Sequence, residues 1–322
     1  MKQSQFARAI WYGILGALFF AFTFIFNRSM NLSGGSWMWS ASLRYLFSLP
    51  MLAVLAWRKG ELVGVLSAIK KAPLTWLIWS TVGFGLFYGP LSLASIYGES
   101  WFVAATWQIT ILAGLLLTPL FGQRVPGKQL LMTLVILLGI ILIQIPYFGS
   151  GLGSGVVRAS LLILLAAFAY PLGNRKMMVH CKEDQLSTTQ RVFGMTLMST
   201  PFWVILSVFA VTDSGLPSGG QILQSLIVAV FSGVVATLLF FEATNLVKHN
   251  HKQLAVVEAT NLVKHNHKQL AVVEATQAGE VLFTLLGGCL FLGDSLPSLL
   301  GFLGIAIVTI GIIGNSLLTG SD

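Results

Sequence analysis

The 322-residue sequence predicts an all-α integral membrane protein, with ten transmembrane helices arranged as two inverted five-helix repeats. Three observations lead there. The first is composition: 55% of residues are hydrophobic and only 9% charged, where a soluble globular chain carries roughly 25% charged residues. Mean hydropathy is +0.82. The second is the length of the apolar runs, because about 20 such residues span the roughly 30 Å of bilayer hydrocarbon. Runs of that length exclude an outer-membrane barrel, whose strands show about ten residues of alternation. The third is a set of polar residues that recurs at a fixed displacement between the two halves.

The runs place spans at 9–28, 36–57, 75–97, 101–121 and 128–148, then at 158–179, 188–211, 221–243, 270–292 and 298–318. The first lacks a small-residue cleavage site before a polar mature region, so it is expected as a retained helix. With ten spans, sixteen of the 19 Lys and Arg residues fall on one side of the membrane and only Arg28, Arg44 and Arg158 on the other. Basic residues collect in cytoplasmic loops, so both termini are expected in the cytoplasm. Orientation also accounts for the net charge of +8, and no nucleic-acid partner is expected.

Asn27, Arg28, Met30 and Arg44 recur as Asn174, Arg175, Met177 and Arg191, each 147 residues on. LFGQRVP at 120–126 and FLGDSLP at 291–297 match Gly122 with Gly293 and Pro126 with Pro297. The repeats are therefore drawn as 1–150 and 151–322. Five spans per half force the second copy to insert upside down, an architecture whose substrate site lies near the midplane between repeats. A different repeat lies inside the second half. EATNLVKHNHKQLAVV at 242–257 is copied without change at 258–273. It is expected to lengthen the cytoplasmic connection between spans eight and nine.

Span nine carries the principal candidate. Glu280 stands about ten residues from its start, about 15 Å deep and near the midplane. A carboxylate there costs several kcal/mol or more unless it is protonated, paired or facing water. Gln277, Glu280 and Thr284 share a helix face, continued by Gly287 and Gly288, and read as one wall of a polar cavity with Glu280 as proton-coupling candidate. The alternative is a structural carboxyl, hydrogen-bonded across the bundle or paired with an arginine. Gln108 is the counterpart of Gly279, 171 residues on, so Trp107 and Gln108 are candidates for the opposite wall. Phe22, Tyr88, Trp107 and Tyr170, deep in their spans, could stack on a flat or cationic substrate.

Arg44 and Arg191 lie inside their spans. They could snorkel to the interface, clamp an anionic group or neutralise a carboxylate such as Glu280, and a gating or charge-pairing role is expected. Trp37, Trp57, Trp76 and Trp101 near span ends read as interfacial anchors. Pro90 and Pro171 interrupt spans three and six, where a lost backbone bond can bend a helix. Gly301, Gly304, Gly311 and Gly314 suit close helix packing, within the chain or across a homodimer. The His249/His251 and His265/His267 pairs lie in a lysine-rich loop with no completing ligands, so no metal is expected. Cys181 and Cys289 sit in different environments, which argues against a disulfide. There is no phosphate-binding loop and no cluster of catalytic groups, so neither a cofactor nor an enzyme is expected.

FNRSM at the end of span one, the arginine of SLRYLFSLP in span two and the LFGQRVP close of span four resemble the drug/metabolite transporter superfamily. Within it, the chain is similar to the EmrE-related multidrug-resistance efflux group, of the EamA-like ten-helix kind. The resemblance implies efflux of small molecules, drugs or metabolites, by alternating access, with proton exchange as energy source. It also implies a multi-pass protein of the bacterial cytoplasmic (inner) membrane. Small multidrug exporters place an essential glutamate in their first helix, whereas spans one and six here hold no carboxylate. The glutamate of the common LGER close is replaced by Gln123 and by Asp294-Ser295. Glu280 is therefore a candidate from depth and polarity alone. The alternatives are an exporter of narrow specificity for an amino acid or other metabolite, and a membrane-embedded lipid-handling or non-transporting scaffold protein.

Overall fold

In hydrocarbon every backbone N–H and C=O must find its partner inside the chain, which drives long apolar segments to helix. The computed structural model describes residues 2–122, 125, 127–148, 153–248 and 275–319, and among them there are helices and no strand. In chain order the helices are α1 (Lys2–Leu32), α2 (Trp37–Arg58), α3 (Leu62–Lys71), α4 (Pro73–Ala94), α5 (Ser100–Leu116) and α6 (Gly127–Phe148). They continue as α7 (Gly153–Glu183), α8 (Thr188–Ser214), α9 (Gly219–Phe240, helical on to Lys248), α10 (Thr276–Leu292) and α11 (Leu299–Thr319). Eight of them are long and apolar enough to cross a membrane, α5 and α10 are shorter apolar helices, and α3 is a short link. The chain is a multi-pass membrane protein.

Each of the ten expected spans falls on one of these apolar helices, though the first residues of the ninth, 270–274, lie outside the described residues. So do most of the tandem duplication with its four histidines, and Gln123, Arg124 and Pro126.

The chain divides into two compact units, each drawing on both sequence halves. The first comprises Met1–Ile25, Glu99–Gly153 and Val235–Asp322, the second Phe26–Gly98 and Ser154–Val234. In the first unit α6 and α11 pack backbone to backbone. A Cβ on Gly304 would lie 2.6 Å from the carbonyl oxygen of Gly139, and one on Gly139 would lie 2.7 Å from that of Gly304. Gly311 meets Ile136, Gly314 meets Met132, and Gly301 lies beside Pro297. The glycine stripe of the last span thus packs within the chain.

In the second unit α8 is the central partner, packing on α2 and α4. Tyr45 of α2 stacks on Trp203 of α8 with ring centroids 4.4 Å apart. Gly194 admits the Trp76 ring, so Trp76 is fully buried, and Trp101 is only 1% exposed. Neither is an interfacial anchor, contrary to the sequence reading: proximity to a span end does not reveal which way a side chain points. Trp57, 68% exposed, is compatible with that role. Pro90 and Pro171 lie inside α4 and α7 without ending them.

Helix irregularities recur at the sequence displacements. A π-helical stretch in α4 starts at Thr81 and one in α9 at Val228, 147 residues apart. Gly122 (φ 72°, ψ 15°) and Gly293 (φ 68°, ψ 24°) close their helices in the same left-handed conformation, 171 residues apart. The displacement fails in one respect. Ser36 precedes α2 and Ser187 caps α8, so Arg44 is the eighth residue of its helix and Arg191 only the fourth. Arg191 sits one turn nearer its helix end.

Candidate functional site

In the second unit the polar residues gather around Arg44. Its guanidinium carbon stands 4.1 Å over the Tyr88 ring and 5.8 Å from that of Tyr45. Its Nη2 donates to the Ser232 hydroxyl at 3.4 Å, and Ser232 belongs to the π-helical stretch of α9. Tyr88 is fully buried and donates its hydroxyl to Asn27 Oδ1 at 3.2 Å. Phe87 packs on Tyr88 at 5.9 Å and on Tyr170 of α7 at 4.7 Å. Arg44, Tyr88 and Tyr170 are thus linked through a chain of ring contacts. Tyr45, Asn27, Ser232 and Trp203 join them, and nothing in sequence spacing brings residues of α1, α2, α4, α8 and α9 to one place. Arg191 is not part of this group. It lies in the first turn of α8, behind a capping box of Ser187 and Gln190. Arg28 donates to the carbonyl of Ser95 at 3.2 Å, as does Asn31 at 3.0 Å, and the pair caps the end of α4.

In the first unit α10 presents its polar stripe from a modified start. Gln277 lies in a 3-10 turn, Thr276–Ala278, and Gly279 opens the α-helical part. Its counterpart Gln108 also sits at a break, between the two parts of α5. Gln277 and Glu280 are half-buried. Thr284 is fully buried, and its hydroxyl donates to the Glu280 carbonyl at 2.7 Å. Gly287 packs against Ile25 of α1, and Gly288 against Ser100 and Asp294, so those glycines serve packing. Trp107 and Gln108 are both buried, with the Gln108 amide donating back to Ala104 at 3.3 Å. Phe22 is half-buried in an edge-to-face pair with Phe19.

A carboxylate network at the start of α5 was not foreseen. The Ser100 N–H donates to Asp294 Oδ2 at 2.9 Å, and its hydroxyl donates to the same oxygen. Glu99 Oε1 accepts from the N–H and hydroxyl of Ser295, while Tyr147 donates to Glu99 Oε2 at 3.5 Å. Trp101 donates its indole N–H to the Ser295 carbonyl at 3.1 Å. An anion at a helix N-terminus satisfies unpaired backbone donors and complements the helix dipole. Asp294 supplies it from 194 residues away; the only sequence signal was a carboxylate in an otherwise apolar turn. Among the described residues no group of three metal-ligating side chains occurs, and both cysteines are free thiols.

The sequence pattern of the family described as "EmrE: Putative multidrug resistance efflux transporter" matches residues 7–264 and again 258–321. The second match begins where the second copy of the 16-residue duplication begins. "Uncharacterized protein YjlA" of Bacillus subtilis (strain 168) is 45% identical over 319 residues, covering 95% of this chain and 93% of that protein. The "Uncharacterized 42.1 kDa protein in intracellular alkaline protease 3'region" of Shouchella clausii is 44% identical over 248 residues, 74% of this chain and 65% of that one.

Proposed function

The chain belongs to the EmrE family of efflux transporters, and from that premise we propose that it is a secondary active, proton-coupled exporter of small molecules. The observation that carries this is the family match, which runs from residue 7 to residue 321. Alternating access follows from ten spans in two inverted quintets, with both termini on the cytoplasmic side of the cytoplasmic membrane. The paired π-helical stretches, the paired left-handed glycines and the paired breaks at Gln108 and Gly279 support that repeat. π-Helical turns often mark functional positions within helices.

Glu280 carries the proton. A carboxyl in an apolar helix is tolerated when protonated or when it faces a cationic or polar partner, so proton and substrate alternate there and favour opposite-facing states. Gln277 and Thr284 flank it on α10, with Trp107 and Gln108 on α5. Phe22, Tyr88 and Tyr170 offer rings to the substrate, and Arg44 and Arg191 act in gating or charge pairing.

The test is export from cells carrying Glu280→Gln, at matched expression and across external pH. The variant is expected to lose pH-dependent export, and unchanged pH-dependent export removes Glu280 from the mechanism. Side-specific reporters on the C-terminus and near residue 150 are expected in opposite compartments. Finding both in one compartment would sink the inverted arrangement.

A further inference from the structure

We propose that α3 docks on anionic phospholipid, with Val63 and Leu66 against the acyl chains and Lys70 and Lys71 on the phosphate headgroups. This rests on the multi-pass architecture and not on the transport reading. The helices that α3 joins hold it at the membrane boundary. Lys59, Gly60 and Glu61 separate it from the last residue of α2, and only Ala72 separates it from α4. Both neighbours are apolar helices long enough to cross a membrane. On its inner side α3 is fixed to protein. Val65, Ala68 and Ile69 are buried in a core that includes Trp76, Met177 and Phe193. The Gln190 amide of α8 donates to the Glu61 carbonyl at 2.9 Å, and Lys59 Nζ donates to the Thr189 hydroxyl at 2.9 Å.

The helical repeat puts Val63, Leu66, Ser67 and Lys70 on the face opposite that core. Val63 is 81% exposed and Leu66 41%, and Leu74, just beyond the helix, is 69% exposed. Lys70 and Lys71 are exposed as well. With one apolar face already packed on protein, α3 thus carries a second apolar strip that ends in two lysines. That is the pattern of an interfacial helix: acyl chains cover the strip, and the lysine stems run along it to place their ammonium groups among the headgroups. Charge selects the lipid. Arg58, Lys59, Lys70 and Lys71 face a single carboxylate, Glu61, within residues 58–71. Basic clusters beside a spanning helix attract an anionic leaflet, each lysine favouring it about fivefold. Lys70 and Lys71 also complement the dipole at the end of α3, but that role alone would be indifferent to the headgroup.

The experiment uses the full chain, reconstituted in bilayers, with a bimane label on Ser67→Cys in a Cys289→Ala background; the buried Cys181 stays, and the same chain without Ser67→Cys corrects for any label there. The label reports contact with lipid brominated in its acyl chains, presented as phosphatidylglycerol or as phosphatidylcholine at equal mole fraction. Both are expected to quench it, phosphatidylglycerol as though bound about tenfold more tightly. Lys70→Gln combined with Lys71→Gln should bring that ratio close to one, whereas arginine at both positions should keep it. Added salt, which requires no variant, should lower the ratio in the parent chain. Soluble glycerol phosphate should not displace the brominated lipid. Four results overturn the proposal. Absence of quenching by either lipid places α3 clear of the bilayer. Equal quenching leaves an apolar contact blind to charge. An unchanged ratio in the glutamine pair puts the preference elsewhere on the chain. Displacement by glycerol phosphate makes this a site for a free anion rather than for a membrane.

Discussion

Replacing Gly304 by alanine tests the packing on which the first unit depends. The new Cβ would lie 2.6 Å from the Gly139 carbonyl oxygen, 2.7 Å from Ile143 Cγ1 and 3.0 Å from the Ile143 nitrogen. Ordinary van der Waals separation is about 3.5 Å, so α6 and α11 must part by close to 1 Å. Two of the three obstructing atoms are backbone and cannot rotate away. A gap of about 0.5–1 Å forfeits a quarter to a half of the dispersion well at each contact, and overpacking of this kind typically costs about 1–3 kcal/mol. Gly139→Ala meets the reciprocal obstruction, 2.7 Å from the Gly304 oxygen and 2.8 Å from the Val308 nitrogen. Once one substitution has parted the helices, the second finds room, so the double variant should lose less than the sum by about 1 kcal/mol. The assay is the apparent melting temperature of detergent-purified protein, followed as loss of the monodisperse species. Gly127→Ala, with no atom within 4 Å of its Cβ, is the control and should melt with the wild type. Refutation would be Gly304→Ala melting with that control, or strict additivity in the double variant.

Three further outcomes follow from the same contacts. Asp294→Ala strands the buried Ser100 N–H and removes the anion at the start of α5, a loss of about 2–3 kcal/mol, whereas Asp294→Asn keeps an acceptor and should lose less by the same melting assay. Gly122→Ala and Gly293→Ala meet no atom within 4 Å, yet both positions have positive φ, so each should cost about 1 kcal/mol for conformation alone; equal losses are expected, and asparagine should be better tolerated than alanine at both. Deleting residues 258–273 removes one of two identical copies; export measured in cells should equal or exceed that of the full chain, and a loss would show that both copies are needed.

Helix existence was legible in the sequence because hydrocarbon leaves an apolar segment no other way to satisfy its backbone. Long apolar runs and basic loops therefore located the eight long apolar helices and the two shorter ones, α5 and α10, among the described residues. The 147- and 171-residue displacements were legible for a related reason: the π-helical starts at Thr81 and Val228, and Gly122 with Gly293, are local backbone features set by nearby residues.

Side-chain direction was another matter. Trp76 and Trp101 stand near helix ends, as membrane anchors do, but only packing against Gly194 and the Ser295 carbonyl decides that they point inward. Arg44 was visible as a basic residue in an apolar run, but its setting among Tyr45, Tyr88, Asn27 and Ser232 depends on four helices meeting. Asp294 looked like a degenerate motif position until tertiary folding brought it to the N-terminus of α5. By itself the sequence determined which long apolar segments become helix, because burial in lipid acts on each segment independently; the short link α3, Leu62–Lys71, it did not foresee. Tertiary structure alone decided which polar groups meet, because a helix–helix contact is a joint property of two surfaces far apart in the chain.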